Sequence, residues 1–223
     1  MSEDGEVLLF DKPYHWTSAH VVATVKRIYG YKKVGHAGTL DPLATGLLIL
    51  CTEKKTKGID LIQAQEKEYT GIIRLGASTP SFDMETEPDF LYETSHITKT
   101  MIAEAVKTLT GKIKQVPPNH SAKKVDGKRA YKLARQGKVF ELLPREVEIY
   151  DFEITEINMP DLYFRVKCSK GTYIRSLAHD IGKLLGSGGH LTKLCRTRIG
   201  AYKLEDAWTI EAFREKFGSD KEI

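Results

Sequence analysis

Apolar and polar positions follow two rhythms along this chain. Runs of strand type are "EVLLF" from Glu6, "LLILCT" from Leu47, "KEYTGIIRLG" from Lys67, "REVEIYDFEITEI" from Arg145, "LYFRVKCSKG" from Leu162 and "HLTKLCRTRIGAYKL" from His190. Helical spacing runs from a cap at Thr17 or Ser18 to Tyr29, with Gly30 just past its end. It returns from Thr98 to Thr110 before Gly111, in "GTYIRSLAHDIGKLLG", in "TIEAFREKF" and over the short "TKGIDLIQAQ". One further short helix is predicted around Ala130–Arg135, and the "NMPD" turn joins two of the strands. Strands and helices mix without a regular βαβ alternation, which predicts an α+β fold around a mixed, mostly antiparallel sheet. There is no repeat and no low-complexity segment, and 223 residues suffice for one sizeable domain.

Composition adds little until its distribution is read. Hydrophobic residues are 41% and charged residues 29%, ordinary for a globular chain. No apolar run approaches the roughly 18 residues that span a bilayer, and the acidic opening "MSEDGEVLLF" is not a signal peptide. A cytoplasmic protein without membrane contact is expected. Cys51, Cys168 and Cys195 are far apart and read as buried reduced thiols, and the histidines show no metal-ligand spacing. Neither a metal nor a cofactor is expected.

The net charge is only +4. Between Lys112 and Arg145, however, ten basic residues face only Asp126 and Glu141, and Tyr131 lies among them. Such a run can be a plain solvated face, yet aromatic residues interleaved with Lys and Arg suit nucleic acid. Asp83, Glu85, Glu87, Asp89 and Glu93 make the stretch from Ala77 to Ser95 an acidic loop.

The stretch "VGHAGTLDPLATGLLIL", Val34 to Leu50, passes from a Gly-punctuated loop into an apolar strand and holds a single carboxylate, Asp41. Asp-Pro can simply nucleate a turn. But Gly35 and Gly38 permit close backbone approach, His36 and Thr39 are polar, and the apolar half anchors the loop. A carboxylate on a stiff platform is what covalent catalysis requires. A lone carboxylate is ill suited to glycoside hydrolysis, which normally uses two.

"GHAGTLDPLATGLL" resembles the active-site motif of the bacterial tRNA pseudouridine synthase B family, which isomerises uridine 55 in the TΨC arm of tRNA. "KEYTGIIRLG", "VPPNHSAKKVDGKRAYKLAR", "REVEIYDFEI" and "CSKGTYIRSLAHDIGKLLGSGGHLTKLCRTRIGAY" follow in the family's order, so the resemblance spans roughly Val7 to Tyr202. It implies the pseudouridine-synthase fold and no redox cofactor. Asp41 then matches the catalytic aspartate that helps break the N1–C1′ bond. Tyr69 matches the tyrosine that stacks on the flipped base and is implicated in proton transfer from C5. Arg175 matches the arginine that pairs with the catalytic carboxylate.

Tyr173 matches a second active-site tyrosine, Leu194 an apolar wall of the base pocket, and His36 a contact to the RNA. Asp83 falls at an acidic family position, although "STPSFDMET" departs from the commoner T-D-T-x-D pattern. The basic segment of about 112–145 matches a clamping insertion, and Lys123, Lys124 and Arg129 are its expected RNA contacts. By residue type alone, Tyr69, Tyr173 and Leu194 fit ordinary core, Arg175 a helix surface and His36 an exposed loop. The residues after Tyr202 are too few for the PUA-type RNA-binding domain that many family members carry. A monomeric, single-domain enzyme that grips the tRNA T-arm stem–loop alone is expected. The rival readings are a non-catalytic RNA-binding module, a base-removing glycosylase that would release uracil, and a structural domain without a site.

Overall fold

The run "LLILC" is apolar without interruption because it is covered on both sides. Leu48 and Leu50 pack with Phe10, Val21, Val25, Tyr31, Ile210 and Phe213, while Leu47, Ile49 and Cys51 pack with Ala37, Ile62 and Ile199.

The computed structural model describes residues 4–121, 123–125, 127–130, 133, 136–138, 140 and 142–218. In chain order its first elements are β1 (Val7–Lys12), α1 (Ser18–Tyr29), β2 (Val34–His36), β3 (Ala44–Thr52), α2 (Ile59–Gln63) and β4 (Lys67–Leu75). Next come β5 (Ala77–Ser78), β6 (Phe90–Leu91), α3 (Lys99–Thr108), β7 (Gly111–Gln115), β8 (Lys124–Val125) and β9 (Lys128–Arg129). The last are β10 (Arg145–Asn158), β11 (Asp161–Cys168), α4 (Ile174–Leu184), β12 (Gly189–Ile199), β13 (Tyr202–Lys203) and α5 (Ile210–Phe217). The fold is α+β, as the irregular order of patterns predicts.

Two compact units result, residues 1–69 with 194–223 and residues 70–193. The chain passes between them inside β4 and again inside β12. In the first unit the strand order is β1-β3-β12-β4. β1 is antiparallel to β3 from Val7↔Cys51 to Lys12↔Gly46, and β12 is parallel to it with Leu194 opposite Ala44. Gly46 allows this close approach: its φ is 97°, and a Cβ there would lie 2.4 Å from the Arg196 carbonyl oxygen. Helix α1 carries both signals read from the sequence. Thr17 Oγ1 accepts from the His20 N–H at 3.1 Å, and Gly30 ends the helix at φ 80°. Ile210 and Phe213 of α5 complete the same core.

In the second unit the order is β12-β4-β11-β10-β7. β10 and β11 form the long antiparallel hairpin seen in the sequence. Three short strands here, β7, β8 and β9, escape the sequence pattern. In β7, "GKIKQ" offers one apolar residue, and its ladder to β10 supplies the rest. β8 and β9 pair Lys124 with Arg129 inside the basic segment. Of the helix predicted at Ala130–Arg135, Ala130 and Leu133 are helical, and residues 131, 132, 134 and 135 lie outside the described ones. Cys51 and Cys168 are buried as read, but Cys195 is only half-buried; all three are free thiols. Among the described residues no helix is long and apolar enough to cross a membrane.

Candidate active site

Asp41 sits in the loop between β2 and β3, and that loop is fastened almost peptide by peptide. The Ala37 N–H donates to Ile49 O at 2.8 Å and the Ala44 N–H to Asp41 O at 3.0 Å. Leu40 N–H donates to Ser18 Oγ at 2.9 Å, and Ser18 returns a bond to Leu40 O at 3.3 Å. Arg196 donates from Nε to Leu47 O at 2.8 Å and from Nη2 to Gly38 O at 3.1 Å. Lys12 Nζ reaches Pro42 O at 3.4 Å as well as Pro13 O at 2.9 Å and Trp16 O at 2.7 Å. The buried side chains of Ala37 and Leu40 peg the loop from beneath. The rigid platform inferred from the sequence is therefore present, built by side chains from β1, α1 and β12.

Two of those side chains are buried cations. Lys12 is 0% and Arg196 1% exposed. Burial pulls the Lys12 ammonium down to about 8, against the raising influence of Asp41 and Asp11 and with a smaller lowering by Arg196. His36 ends β2, opposite Leu50. Burial first, and then the Arg196 charge, hold its imidazole below the usual range, so it is neutral at pH 7. Its Nδ1 is buried without a hydrogen-bond partner among the described residues. Tyr69, on β4, is 8% exposed. Leu194, on β12, is half-buried, and its carbonyl accepts from Thr45 Oγ1 at 3.4 Å.

The remaining predicted residues belong to the second unit. Arg175 is 3% exposed on the inner side of α4, so the helix-surface alternative fails. Its Nη1 donates to Ser81 O at 3.1 Å and lies 3.6 Å from Asp83 Oδ2, while Nη2 donates to His120 O at 2.9 Å. One guanidinium thus joins the Thr79–Thr86 loop to the segment after β7. Asp83 is buried and accepts the Glu85 N–H at 2.9 Å. The departure from the commoner family pattern still yields a closed turn, with Thr79 and Ser81 hydroxyls donating to Asp83 O at 2.8 and 3.2 Å. Tyr173 precedes α4. The Gln115 carboxamide clamps its backbone, accepting the Tyr173 N–H at 2.7 Å and donating to its carbonyl at 3.0 Å. Arg145 lies over its ring, 4.4 Å from the centroid.

The basic segment is less uniformly basic in space than in sequence. Lys112 and Lys114 stand opposite Glu148 and Glu146 across the β7–β10 ladder. Lys123 is half-buried, and its carbonyl accepts the Ala130 N–H at 2.7 Å. Lys124 and Arg129 pair through their backbones, and their side chains lie outside the described residues. Among the described residues no group of three or more His, Cys, Asp or Glu is disposed to hold a metal ion.

A family model described as TruB family pseudouridylate synthase, N-terminal domain, matches residues 26–174. The chain belongs to the TruB family of pseudouridylate synthases. Their reaction is an isomerisation. A second model, tRNA pseudouridylate synthase B C-terminal domain, matches residues 175–222. The chain is 53% identical over 219 residues to the tRNA pseudouridine synthase B of Phocaeicola vulgatus, covering 96% of this chain and 93% of that one. It is 52% identical to that of Flavobacterium johnsoniae, covering 95% and 96%. Among solved structures it resembles a chain of a Cbf5-Nop10-Gar1 complex, with TM-score 0.75, 33% identity and 96% of this chain covered. A chain of an H/ACA RNP bound to a substrate RNA containing 2′-deoxyuridine follows, with TM-score 0.71 and 31% identity. This chain spans 54% and 53% of those two, about half their length.

Within this TruB-family chain, sequence reasoning missed the residues that hold the site rather than form it. They are Lys12, Ser18, Gln115 and Arg196. A weak signal existed for two of them. Lys12 continues the inward alternation of β1 through Phe10, and Arg196 occupies an inward position of β12, where an apolar residue is the ordinary choice.

Proposed function

We propose that this chain converts uridine 55 in the T-arm of tRNA to pseudouridine, with Asp41 as the nucleophile. The observation that carries the reading is the fastening of the Asp41 loop by Ser18, Lys12 and Arg196, which is the preorganisation a covalent catalyst needs. The names of relatives that match this chain over nearly their full length supply the substrate class.

Uridine stacked in an RNA arm is out of reach, so the base is flipped out, at a cost of a few kcal/mol. Stacking on Tyr69 returns about 1–3 kcal/mol. The Asp41 carboxylate attacks the nucleoside and the N1–C1′ bond breaks. The base turns, C5 bonds to C1′ as the bond to Asp41 breaks and returns its electron pair to the carboxylate, the C5 proton leaves and N1 gains a proton. Atoms and electrons balance within the nucleotide, so the reaction needs no redox partner. Tyr69 is assigned to the C5 proton transfer and Arg175 to keeping the catalytic carboxylate ionised. Tyr173 and Leu194 are assigned to the base pocket, and neutral His36 and Asp83 to substrate contacts. Lys123, Lys124 and Arg129 are assigned to phosphates of the stem–loop. The enzyme is read as a cytoplasmic monomer whose RNA contacts stay within the T-arm.

The test incubates the purified protein, with Asp41→Asn in parallel, with an unmodified T-arm stem–loop and separates the digested nucleosides by chromatography. Pseudouridine from the wild type alone, without free uracil, is the expected result. Free uracil would establish a glycosylase instead. Intact uridine despite tight binding would leave a non-catalytic RNA module.

A further inference from the structure

We propose that Tyr14, His15 and the Trp16–His20 pair form a stacking platform for an unstacked nucleobase of the RNA strand flanking the target nucleotide. Four observations meet in this turn of the first unit. Trp16 and His20 stack at 3.9 Å with their planes 4° apart, and Tyr14 and His15 lie 4.1 Å apart. Trp16 is anchored on the hydrophobic cluster around Phe10, whereas Tyr14 is 48% exposed and both histidines are exposed. His15 adopts φ 64°, in the left-handed region where a side chain costs free energy that glycine avoids. Such strain persists where the side chain is put to use. Finally, Lys12 Nζ binds the Pro13 and Trp16 carbonyls and also that of Pro42, the residue after Asp41. The platform and the Asp41 loop thus hang on one ammonium nitrogen.

The chemistry fits RNA, and here the inference rests on the function proposed above. Flipping a uridine interrupts the stack on both of its sides, which leaves flanking bases in need of a surface. Aromatic and imidazole rings accept any base by its π-face. Tyr14 is one residue from Pro13 and Asp41 one residue from Pro42, so a nucleotide next to the one held at Asp41 falls within reach of the platform.

The experiment measures Kd by anisotropy of a labelled T-arm stem–loop at fixed salt, together with kcat, KM and Tm, for Tyr14→Ala, Tyr14→Phe, His15→Gly and an exposed tyrosine control from the second unit, Tyr150→Ala. Loss of one stacking contact predicts a rise in Kd and KM of about tenfold for Tyr14→Ala, with kcat at saturating RNA falling much less. Tyr14→Phe keeps the ring and restores binding, and Tyr150→Ala matches the wild type. His15→Gly is the sharpest arm. It relieves the backbone strain and raises Tm, yet raises Kd and KM about threefold. A turn with only a structural role would gain stability at unchanged affinity, and that result in both His15→Gly and Tyr14→Ala would overturn the platform. The two readings separate cleanly. Binding tests the platform even where turnover is absent, whereas a wild type that isomerises the RNA with unaltered binding in both variants removes the platform alone.

Discussion

Ser18 and Leu40 exchange two hydrogen bonds, Leu40 N–H to Ser18 Oγ at 2.9 Å and Ser18 Oγ to Leu40 O at 3.3 Å. Ser18 is the first residue of α1 and Leu40 the residue before Asp41, so the helix start sets the height of the loop. Ser18→Ala leaves a buried N–H without its partner, at a cost of about 1–3 kcal/mol. The expected outcome is a lowered denaturation midpoint and a fall in kcat larger than any change in RNA Kd. Unchanged kcat in a folded variant would detach the serine from the placing of Asp41.

Arg196 ties Leu47 O and Gly38 O, which lie 149 and 158 residues earlier in the chain. A lysine cannot span both carbonyls as the planar fork does. Arg196→Lys and Arg196→Met are therefore both expected to lose stability, by about 2–4 kcal/mol. A second readout is independent of the fastening. The Arg196 charge contributes to holding His36 low, so in Arg196→Met the His36 imidazole titrates at higher pH. A proton NMR titration of the histidines checks the direction, and a downward or absent shift would count against the assignment.

The sequence made the frame legible where one rule acted alone. Thr17 and Gly30 mark both ends of α1 because capping is local. β3 was readable from its apolar run, although it begins at Ala44, ahead of that run, since pairing with Lys12 and Leu194 extends it. Asp41 stood out as a carboxylate in a glycine-punctuated loop. The fastening of that loop did not stand out, because Lys12 and Arg196 donate to main-chain carbonyls, which leave no mark in side-chain pattern. A buried Lys or Arg looks like any surface cation until tertiary structure supplies its acceptors. β7 was hidden for a similar reason, since Lys112 and Lys114 flank a single apolar residue and their strand is made by β10.

Gln115 provides a further case of side chain serving backbone. It is 0% exposed, and its carboxamide meets both the N–H and the carbonyl of Tyr173. Gln115→Met keeps the volume but strands both groups, and a loss of about 2–4 kcal/mol is expected. Gln115→Glu keeps the acceptor for the Tyr173 N–H and loses the donor to its carbonyl, so at pH 7 it faces a carboxylate toward a carbonyl oxygen. If Tyr173 serves the base pocket, both variants raise KM for the stem–loop. Equal KM with lowered stability would confine Gln115 to the fold.

Asp180 on α4 offers a prediction with a definite sign. Burial raises its carboxyl from 3.8 to about 6, only partly opposed by Lys183. The folded protein therefore holds more protons than the unfolded chain between those two values. Stability falls as pH rises through that window, and the penalty is complete above pH 6. Asp180→Asn removes the ionisable group while keeping the shape. It is expected to stabilise the protein by ~1–3 kcal/mol at pH 7.5, with the gain shrinking steadily toward pH 4.5. Urea denaturation of both proteins at the two pH values decides it. An equal gain at both would mean that the change acts through helix propensity or packing, and a loss at pH 7.5 would mean that the carboxylate is held by favourable contacts when the protein is folded.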